Sequence, residues 1–274
     1  MPNFLYIIWD IDPEIISSPI SLRYYGLCFA TAFVLGYYVL QQIFKNDKVS
    51  IEWLDSVLMY VIIGTVAGAR LGHCFLYDWE YFQHHLLEIF LPVRFEPEFE
   101  FIGYRGLASH GAAVGIILSA WIWSIRISKK SLLWILDRVV ITVALGGFFI
   151  RFGNLMNSEI VGLQTDVPWA FVFKQLDDVP RHPTQLYEAF SYLVIFGILY
   201  YLHFYKKLYL QTGRIFGIFL VLLFGIRLVL EQLKENQSAF EESMYLNMGQ
   251  LLSVPFVLLG VFLIIRKVKK NKHG

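Results

Sequence analysis

The stretch from residue 132 to residue 162 decides how this chain of 274 residues folds. It begins with a run of mainly apolar residues, LLWILDRVVITVALGGFFI (132–150), and continues as RFGNLMNSEIVG (151–162). An apolar run of this length can cross the hydrocarbon core of a bilayer as a helix. Arg151, Asn154 and Glu159 follow it closely, and polar groups at the end of a membrane helix are unfavourable unless they are satisfied or used. We therefore predict that residues 151–162 carry function at the end of a transmembrane helix.

The composition of the whole chain is typical of a membrane protein. Hydrophobic residues make up 57% of the sequence and charged residues only 16%, whereas a soluble domain carries about 25% charged residues. Aromatic residues reach 17%, which suits side chains placed at membrane–water boundaries. We predict an all-α, multi-pass integral membrane protein of one domain, residues 1–274, with small loop elements on its periplasmic side.

Seven apolar runs are long enough to span a bilayer as helices. Their predicted bounds are 20–44, 54–77, 107–127, 132–150, 186–205, 215–233 and 248–265. A further apolar run, 86–90, is too short to span and is predicted to lie in the membrane interface. The two cysteines, Cys28 and Cys74, both lie inside apolar runs, so we predict neither a disulfide framework nor a metal site.

The distribution of lysine and arginine predicts the orientation of the chain. Thirteen of these residues lie in four short segments, 45–53, 126–131, 206–214 and 266–274, whereas the longer loops on the opposite side hold six. Because cytoplasmic loops carry the basic excess, we predict the N-terminus outside and the C-terminus in the cytoplasm. The first residues contain no basic cluster, so the first span itself is predicted to direct insertion instead of a cleaved signal peptide.

Polar residues within the spans are predicted to lie at one level of the bilayer. A helix rises about 1.5 Å per residue, which places Arg70 and Glu231 roughly 24 Å from the inner ends of their spans, and Arg227 roughly 18 Å. Four further polar residues stand near the predicted outer ends: Tyr25, His110, Arg151 and Gln250. Because structure alone rarely requires so many charges in hydrocarbon, we predict a polar cavity in the outer half of the membrane.

Some of these residues also have simpler interpretations. Arg227 and Glu231 are four residues apart on one predicted helix, so they can neutralise each other. Asp137 and Arg138 lie near the inner end of the fourth span, where snorkelling or a local ion pair would account for them. His110 taken alone can be a satisfied histidine at the interface. The prediction of a cavity therefore depends on the convergence of these residues and not on any one of them.

The residue types of this cavity indicate its chemistry. Arginine suits bidentate phosphate binding and stays charged when buried, so several arginines predict a phospholipid headgroup as ligand. Histidine can exchange a proton near neutral pH. The sequence has neither a Gly-x-Ser-x-Gly elbow nor a His-Glu-x-x-His motif, which argues against a common serine lipase and a membrane metalloprotease. A transporter or flippase for an anionic substrate is the alternative, although the sequence shows no internal repeat.

Residues 151–162 resemble the most characteristic segment of the bacterial prolipoprotein diacylglyceryl transferases. Six further segments resemble motifs of that family, in the same order along the chain: LRYYG (22–26), GARLG (68–72), SHGAAVG (109–115), RHPTQLYEA (181–189), GIRLVLE (225–231) and MGQ (248–250). Two positions depart from the family pattern. Ala112 stands where a second glycine often follows the histidine, and Ser158 replaces the usual glycine before the glutamate.

The resemblance implies an enzyme that moves the diacylglyceryl group of phosphatidylglycerol to the lipobox cysteine thiol of a preprolipoprotein. A thioether forms and glycerol 1-phosphate leaves, which is the first step of lipoprotein maturation in the bacterial cytoplasmic (inner) membrane. The implied partners are phosphatidylglycerol, preprolipoprotein signal peptides and the lipid bilayer. Neither a nucleic acid, a metal nor an organic cofactor is expected.

The matching positions also imply roles for individual residues. Arg151 and Arg227 would hold the phosphate and stabilise the charge of the leaving group. His110 is a candidate base for the thiol, but a thiolate stabilised by nearby arginines would need no strong base. Glu231 would either orient Arg227 or take part in proton transfer, and Arg70 would shape the electric field or hold the site together. The residues expected at the substrate are Tyr25, Arg70, Asn154, Glu159, Gly162 and Gln250.

Overall fold

A computed structural model of the protein describes residues 6–16, 22–95, 98–101, 106–235 and 246–267. Within these residues the helices are α1 (Tyr24–Asn46), α2 (Glu52–Leu76), α3 (Trp79–Phe82), α4 (Leu86–Phe90), α5 (Ser109–Trp123), α6 (Leu132–Met156), α7 (Thr184–Phe204), α8 (Arg214–Leu230) and α9 (Met248–Ile265). A π-helical turn, Ser124–Ser128, extends α5, and a 3₁₀ turn, Glu231–Leu233, extends α8. Seven of these helices are long and apolar enough to cross a membrane, which confirms the predicted number of spans. The chain is a multi-pass membrane protein.

Short strands occupy the segments outside the long helices. They are β1 (Ile7–Trp9), β2 (Glu14–Ile16), β3 (Leu22–Arg23), β4 (Val93–Arg94), β5 (Glu100–Phe101), β6 (Phe171–Phe173) and β7 (Pro180–Arg181). One sheet has the order β1-β6-β7, with β1 parallel and β7 antiparallel to β6. Two antiparallel pairs, β2–β3 and β4–β5, complete the set of described strands. These are the small loop elements that the sequence predicts.

The fourth span is longer than predicted. Helix α6 continues past residue 150 to Met156, so Arg151 and Asn154 lie on the helix itself and not in a segment behind it. The apolar periodicity continues through Phe152 and Leu155, which pack with Phe171 and Phe173 in one buried cluster. The other predicted helix ends agree with the described ones within four residues, and the predicted positions 20 and 21 lie outside the described residues.

The chain divides into two compact units. The small unit comprises residues 48–136, and the large unit comprises residues 1–47 and 137–274. Each unit is stabilised by its own packing, and the prediction of one domain over residues 1–274 stays a prediction.

In the small unit, α2 and α5 meet along glycines. A Cβ atom on Gly68 would lie 2.8 Å from the Cα atom of Gly115, and one on Gly72 would lie 2.7 Å from that of Gly111. The four-residue spacing places these glycines on one face of each helix, as in other close helix pairs of membrane proteins. The two backbones are therefore in direct contact, and even alanine would force them apart.

The loop of the small unit contains α3, α4 and the β4–β5 pair. Helix α4 coincides with the short apolar run predicted at 86–90, while its place in the membrane interface stays a prediction. Cys74, Phe82 and Ile89 form a buried cluster that packs this loop against α2. Neither Cys74 nor Cys28 forms a disulfide.

In the large unit, Asp137 and Arg138 are fully buried and bind distant segments. The Asp137 carboxylate accepts hydrogen bonds from the backbone N–H groups of Gly213 at 2.5 Å and Phe216 at 2.8 Å, so it caps the first turn of α8. The Arg138 guanidinium forms an ion pair with Asp47, with 2.7 Å between Nη2 and Oδ2. The interpretation of these residues as a snorkelling or locally paired couple was wrong, because both are buried and their partners come from elements remote in sequence.

Candidate functional site

The last turns of α6 carry the first part of the site. Arg151 Nη1 donates a hydrogen bond to Asn154 Oδ1 at 3.1 Å, and Asn154 Nδ2 donates to Glu159 Oε2 at 3.2 Å. Asn157 Nδ2 donates to the other carboxylate oxygen of Glu159 at 3.1 Å. The helical spacing of three residues brings Arg151 and Asn154 onto one face. Two amides thus hold the exposed Glu159 carboxylate, and one of them, that of Asn154, also binds Arg151.

The chain reverses after α6 through a strained turn. Ser158 and Ile160 have φ angles of +54° and +56°, in the left-handed region that favours glycine. The turn is held by the start of α7, where Gln185 Nε2 donates to the carbonyl of Glu159 at 2.6 Å and Thr184 Oγ1 donates to that of Ile160 at 2.9 Å. The φ angle of Ser158 explains why glycine suits this position in the family pattern.

Gly162 lies where three segments of the large unit meet. Its N–H donates to the carbonyl of His182 at 3.0 Å, and a Cβ atom here would lie 2.7 Å from the carbonyl oxygen of Leu233. Leu163 N–H donates to the same Leu233 carbonyl at 2.8 Å. Gly162 is therefore required for close backbone approach, while its predicted contact with substrate stays a prediction.

A chain of buried charges links α6, α7 and the end of α8. Arg151 Nε lies 2.8 Å from Glu188 Oε2, and Glu188 Oε1 lies 2.9 Å from Lys234 Nζ. Lys234 Nζ also lies 3.1 Å from Glu231 Oε2, and the same oxygen is 3.7 Å from Arg227 Nε. Cations and carboxylates alternate along this network, which we call the charge relay of Arg151, Glu188, Lys234, Glu231 and Arg227.

The charge relay contains three cations and two carboxylates, so it carries one excess positive charge. Buried charges are stable only when they are paired and hydrogen-bonded. Arg227 has the longest ion-pair distance of the relay and a side chain that is 27% exposed, compared with 3% for Lys234. Most of the uncompensated positive charge of the relay is therefore accessible to an anion at Arg227. The predicted Arg227–Glu231 pair is confirmed, although Lys234 is closer to the carboxylate.

Helix α9 begins against Glu231. Asn247 and Gln250 form a capping box, and Gln250 Nε2 donates to the carbonyl of Leu228 at 3.0 Å. A Cβ atom on Gly249 would lie 2.5 Å from the carboxylate carbon of Glu231. Gln250 thus joins α9 to α8, and its predicted role at the substrate stays a prediction.

Tyr25 stands in the first turn of α1 and packs against the end of α6. A Cβ atom on Gly153 would lie 2.8 Å from Cδ2 of the Tyr25 ring, so glycine is needed for this contact. Tyr25 thereby lies next to the end of α6 that carries Arg151, and its predicted role at the substrate stays a prediction.

Two predicted site residues, Arg70 and His110, belong to the small unit. The buried Arg70 guanidinium donates from Nη2 to the carbonyl of Glu88 at 2.5 Å and from Nε to that of Ile89 at 3.1 Å. It also lies over the Phe82 ring, 4.8 Å from the centroid. These contacts hold the loop of the small unit against α2, while the predicted roles of Arg70 in holding the site together and at the substrate stay predictions. His110 is exposed in the first turn of α5, where it lines an apolar cleft of about 700 Å³ between α2 and α5.

The comparison with known proteins decides the family. A sequence model described as prolipoprotein diacylglyceryl transferase matches residues 13–266. The chain belongs to the prolipoprotein diacylglyceryl transferase family. The phosphatidylglycerol–prolipoprotein diacylglyceryl transferase of Tolumonas auensis is 43% identical over 266 residues, which cover 97% of this chain and 99% of the relative. Proteins of the same name from Bacteroides fragilis and Chloroherpeton thalassium are 42% and 40% identical, covering 99% and 98% of this chain and 99% and 97% of the relatives.

Family membership confirms the resemblance found in the sequence, but three residues of the site were not predicted. They are Glu188, Lys234 and Asn247. Glu188 lies inside a recognised family segment, 181–189, without an assigned role. Lys234 follows Arg227 and Glu231 by seven and three residues, a spacing that places all three on one helical face and that could have revealed it. In the part of the chain that the structure describes, no group of three or more His, Cys, Asp or Glu residues is arranged to hold a metal ion.

Proposed function

We propose that this member of the prolipoprotein diacylglyceryl transferase family transfers the diacylglyceryl group of phosphatidylglycerol to the lipobox cysteine of a preprolipoprotein signal peptide. The cysteine sulfur attacks the glycerol carbon that is esterified to phosphate, a C–S bond forms, and the C–O bond breaks. Glycerol 1-phosphate leaves with the electron pair of that bond. The names of the relatives, which contain phosphatidylglycerol and prolipoprotein, support these two substrates.

The observation that carries this proposal is the excess positive charge of the charge relay at the end of α6. Arg151 and Arg227 stand at its two ends, and guanidinium groups bind phosphate in a planar, bidentate way. Charge that develops on the departing phosphate is stabilised most effectively by fixed cations in a site that excludes water. The relay therefore suits a reaction in which a phosphate monoester leaves.

Further residues have supporting roles in this proposal. Asn154, Glu159 and Tyr25 orient the glycerol headgroup beside Arg151, and Gly162, Gln250 and Arg70 complete the substrate site. Two routes for the thiol proton remain in the proposal, removal by His110 or ionisation in the field of the arginines. Glu231 orients Arg227 or accepts a proton in the same step.

Orientation and location form part of the same proposal. The protein lies in the bacterial cytoplasmic membrane with its N-terminus outside, which the basic segments support. A fluorescent protein fused to the C-terminus will then fluoresce, and alkaline phosphatase at the same place will be inactive. The reverse pattern would overturn this orientation.

Incubation of the purified protein with phosphatidylglycerol and a synthetic lipobox peptide tests the reaction. We expect the peptide to gain the mass of a diacylglyceryl group while glycerol phosphate is released in equal amount. A peptide with serine in place of the cysteine is the control and should gain no mass. Binding of phosphatidylglycerol without any mass gain would contradict the transferase and favour lipid transport.

A further inference from the structure

We propose that Glu188 and Lys234 act as a positioning pair, which fixes the Arg151 guanidinium and keeps the charge of Arg227 available to the substrate phosphate. This inference rests on the proposed function and extends it to two residues in the middle of the charge relay, which act on the substrate through the arginines at its ends.

Glu188 determines the orientation of Arg151. Its Oε2 lies 2.8 Å from Arg151 Nε, while Arg151 Nη1 donates to Asn154 Oδ1 at 3.1 Å. Two of the three guanidinium nitrogens thus contact side chains from α7 and α6, and Tyr192 of α7 forms a further hydrogen bond with the guanidinium. Because bidentate phosphate recognition depends on the plane of the guanidinium, these contacts restrict the direction in which Arg151 can act.

Lys234 controls the charge around Arg227. Its Nζ lies 3.1 Å from Glu231 Oε2, closer than the 3.7 Å between that oxygen and Arg227 Nε. Lys234 is also 2.9 Å from Glu188 Oε1. The buried ammonium therefore compensates part of both carboxylates. Without it, Glu231 would be left with Arg227 as its cation in the relay, and the arginine would attract a phosphate less strongly.

The backbone holds this pair firmly in place. Lys234 forms an antiparallel bridge with Gly162, and Glu188 follows Thr184 and Gln185, which bind the turn after α6. The side chains of Glu188 and Lys234 are only 1% and 3% exposed. The pair thus lies at the junction of the three segments that carry the site. A small displacement of Glu188 or Lys234 would therefore shift Arg151 and Arg227 as well.

The competing explanation is that the Glu188–Lys234 salt bridge only stabilises the fold. A double variant that keeps the net charge unchanged distinguishes this structural role from a positioning role. Glu188→Gln and Lys234→Met each remove one charge and leave another buried and less compensated, so each single variant should lower the melting temperature. The double variant Glu188→Gln/Lys234→Met removes one charge of each sign. We expect its melting temperature to return towards that of the wild type.

Steady-state kinetics with phosphatidylglycerol and the lipobox peptide then test positioning. In the double variant we expect kcat/KM to stay about a hundredfold below the wild type, since small misplacement of a binding group has effects of this size. Lys234→Met should mainly raise KM for phosphatidylglycerol, Glu188→Gln should mainly lower kcat, and Lys234→Arg should restore most activity. The exposed pair Lys174 and Asp178 is the matched control, and Lys174→Met/Asp178→Asn should leave kcat and KM unchanged.

Two results would overturn the inference in different ways. A double variant with wild-type kcat and KM would show that the pair is only structural, while the proposed function stands. A wild-type protein that transfers no diacylglyceryl group would overturn the proposed function and the positioning role together.

Discussion

The Asp47 carboxylate and the Arg138 guanidinium form an ion pair of 2.7 Å whose two side chains are 1% and 2% exposed. The other carboxylate oxygen lies 2.9 Å from His203 Nε2, which adds α7 to the contact between α1 and α6. Burial alone would raise the pKa of Asp47, but the hydrogen bond with His203 and the charge of Arg138 outweigh it and hold the pKa below its ordinary value. The ionised carboxylate thus joins three helices of the large unit.

Removal of this carboxylate should therefore destabilise the fold. Asp47→Ala takes a buried carboxylate away from Arg138, and such losses cost about 3–5 kcal/mol. We expect a clear fall in the melting temperature, with unchanged transferase activity per folded molecule. Asp178→Ala, at a side chain that is 82% exposed, is the control and should have little effect on melting. An Asp47→Ala protein that melts like the wild type would contradict the role of the cluster.

Arg227 should be required for transfer. Arg227→Ala removes the most exposed cation of the charge relay, and loss of one group that stabilises transition-state charge lowers kcat by about a hundredfold or more. Arg126→Ala, at an exposed arginine of the π-helical turn, is the control for loss of charge and should retain activity. Turnover of Arg227→Ala near the wild-type rate would refute the phosphate clamp.

Gly249 should tolerate no side chain. A Cβ atom there would lie 2.5 Å from the carboxylate of Glu231, so Gly249→Ala must displace either Glu231 or the start of α9. We expect reduced kcat/KM through the altered Glu231–Arg227 contact. At Gly197 of α7 a Cβ atom would meet no atom of the described residues within 4 Å, so Gly197→Ala is the matched control. Equal activity of the two variants would show that Glu231 has room to move.

Replacing Ser158 with glycine should increase the stability of the fold. Its φ of +54° is unfavourable for residues that carry a Cβ atom, by about 1 kcal/mol, and its buried hydroxyl has no hydrogen-bond partner among the described residues. Both Ser158→Gly and Ser158→Ala remove the unpartnered hydroxyl, but only glycine also relieves the strain at this φ, so we expect Ser158→Gly to raise the melting temperature more than Ser158→Ala. A lower melting temperature for Ser158→Gly than for Ser158→Ala would argue against strain at this turn.

A fall in pH should reduce the contribution of the Asp177–Arg181 ion pair to the stability of the fold. Asp177 accepts hydrogen bonds from Arg181 Nη2 at 2.5 Å and Nε at 3.3 Å, and this interaction lowers the pKa of Asp177. Because the folded-state pKa is lower than the unfolded one, about 3.9, the stabilisation is present above that pH and is lost as the pH falls through the folded pKa. The melting temperatures of wild type and Asp177→Asn should therefore differ at pH 6 and converge only as the pH falls through the lowered folded-state pKa of Asp177. A difference that stays constant with pH would exclude this ion pair as its cause.

Much of the fold could be predicted because membrane helices are encoded locally. Length and apolarity identify each span without knowledge of its neighbours, and the count of seven was correct. The one large boundary error, at α6, arose because Arg151 and Asn154 were taken as the end of an apolar run. Their partners Glu188 and Glu159 satisfy these polar groups and allow the helix to continue.

The candidate site could be predicted only in part. Arg151, Asn154, Glu159, Arg227 and Glu231 lie in conspicuous polar positions of apolar runs, and family motifs cover them. Lys234 looked like an ordinary loop cation, although it is buried between two carboxylates. The spacing of Lys234 from Arg227 and Glu231 places it on their helical face, but whether the charge is solvated or enclosed depends on segments far away in sequence.

By itself, the sequence determined the membrane class, the seven spans and the family, since hydrophobic length and short motifs are properties of local segments. Only the tertiary structure decided which charges pair: Arg151 with Glu188, Lys234 with Glu188 and Glu231, and Arg138 with Asp47. The physical reason is that Coulomb attraction in a buried environment depends on distances in space, which the packing of helices α1, α6, α7 and α8 sets.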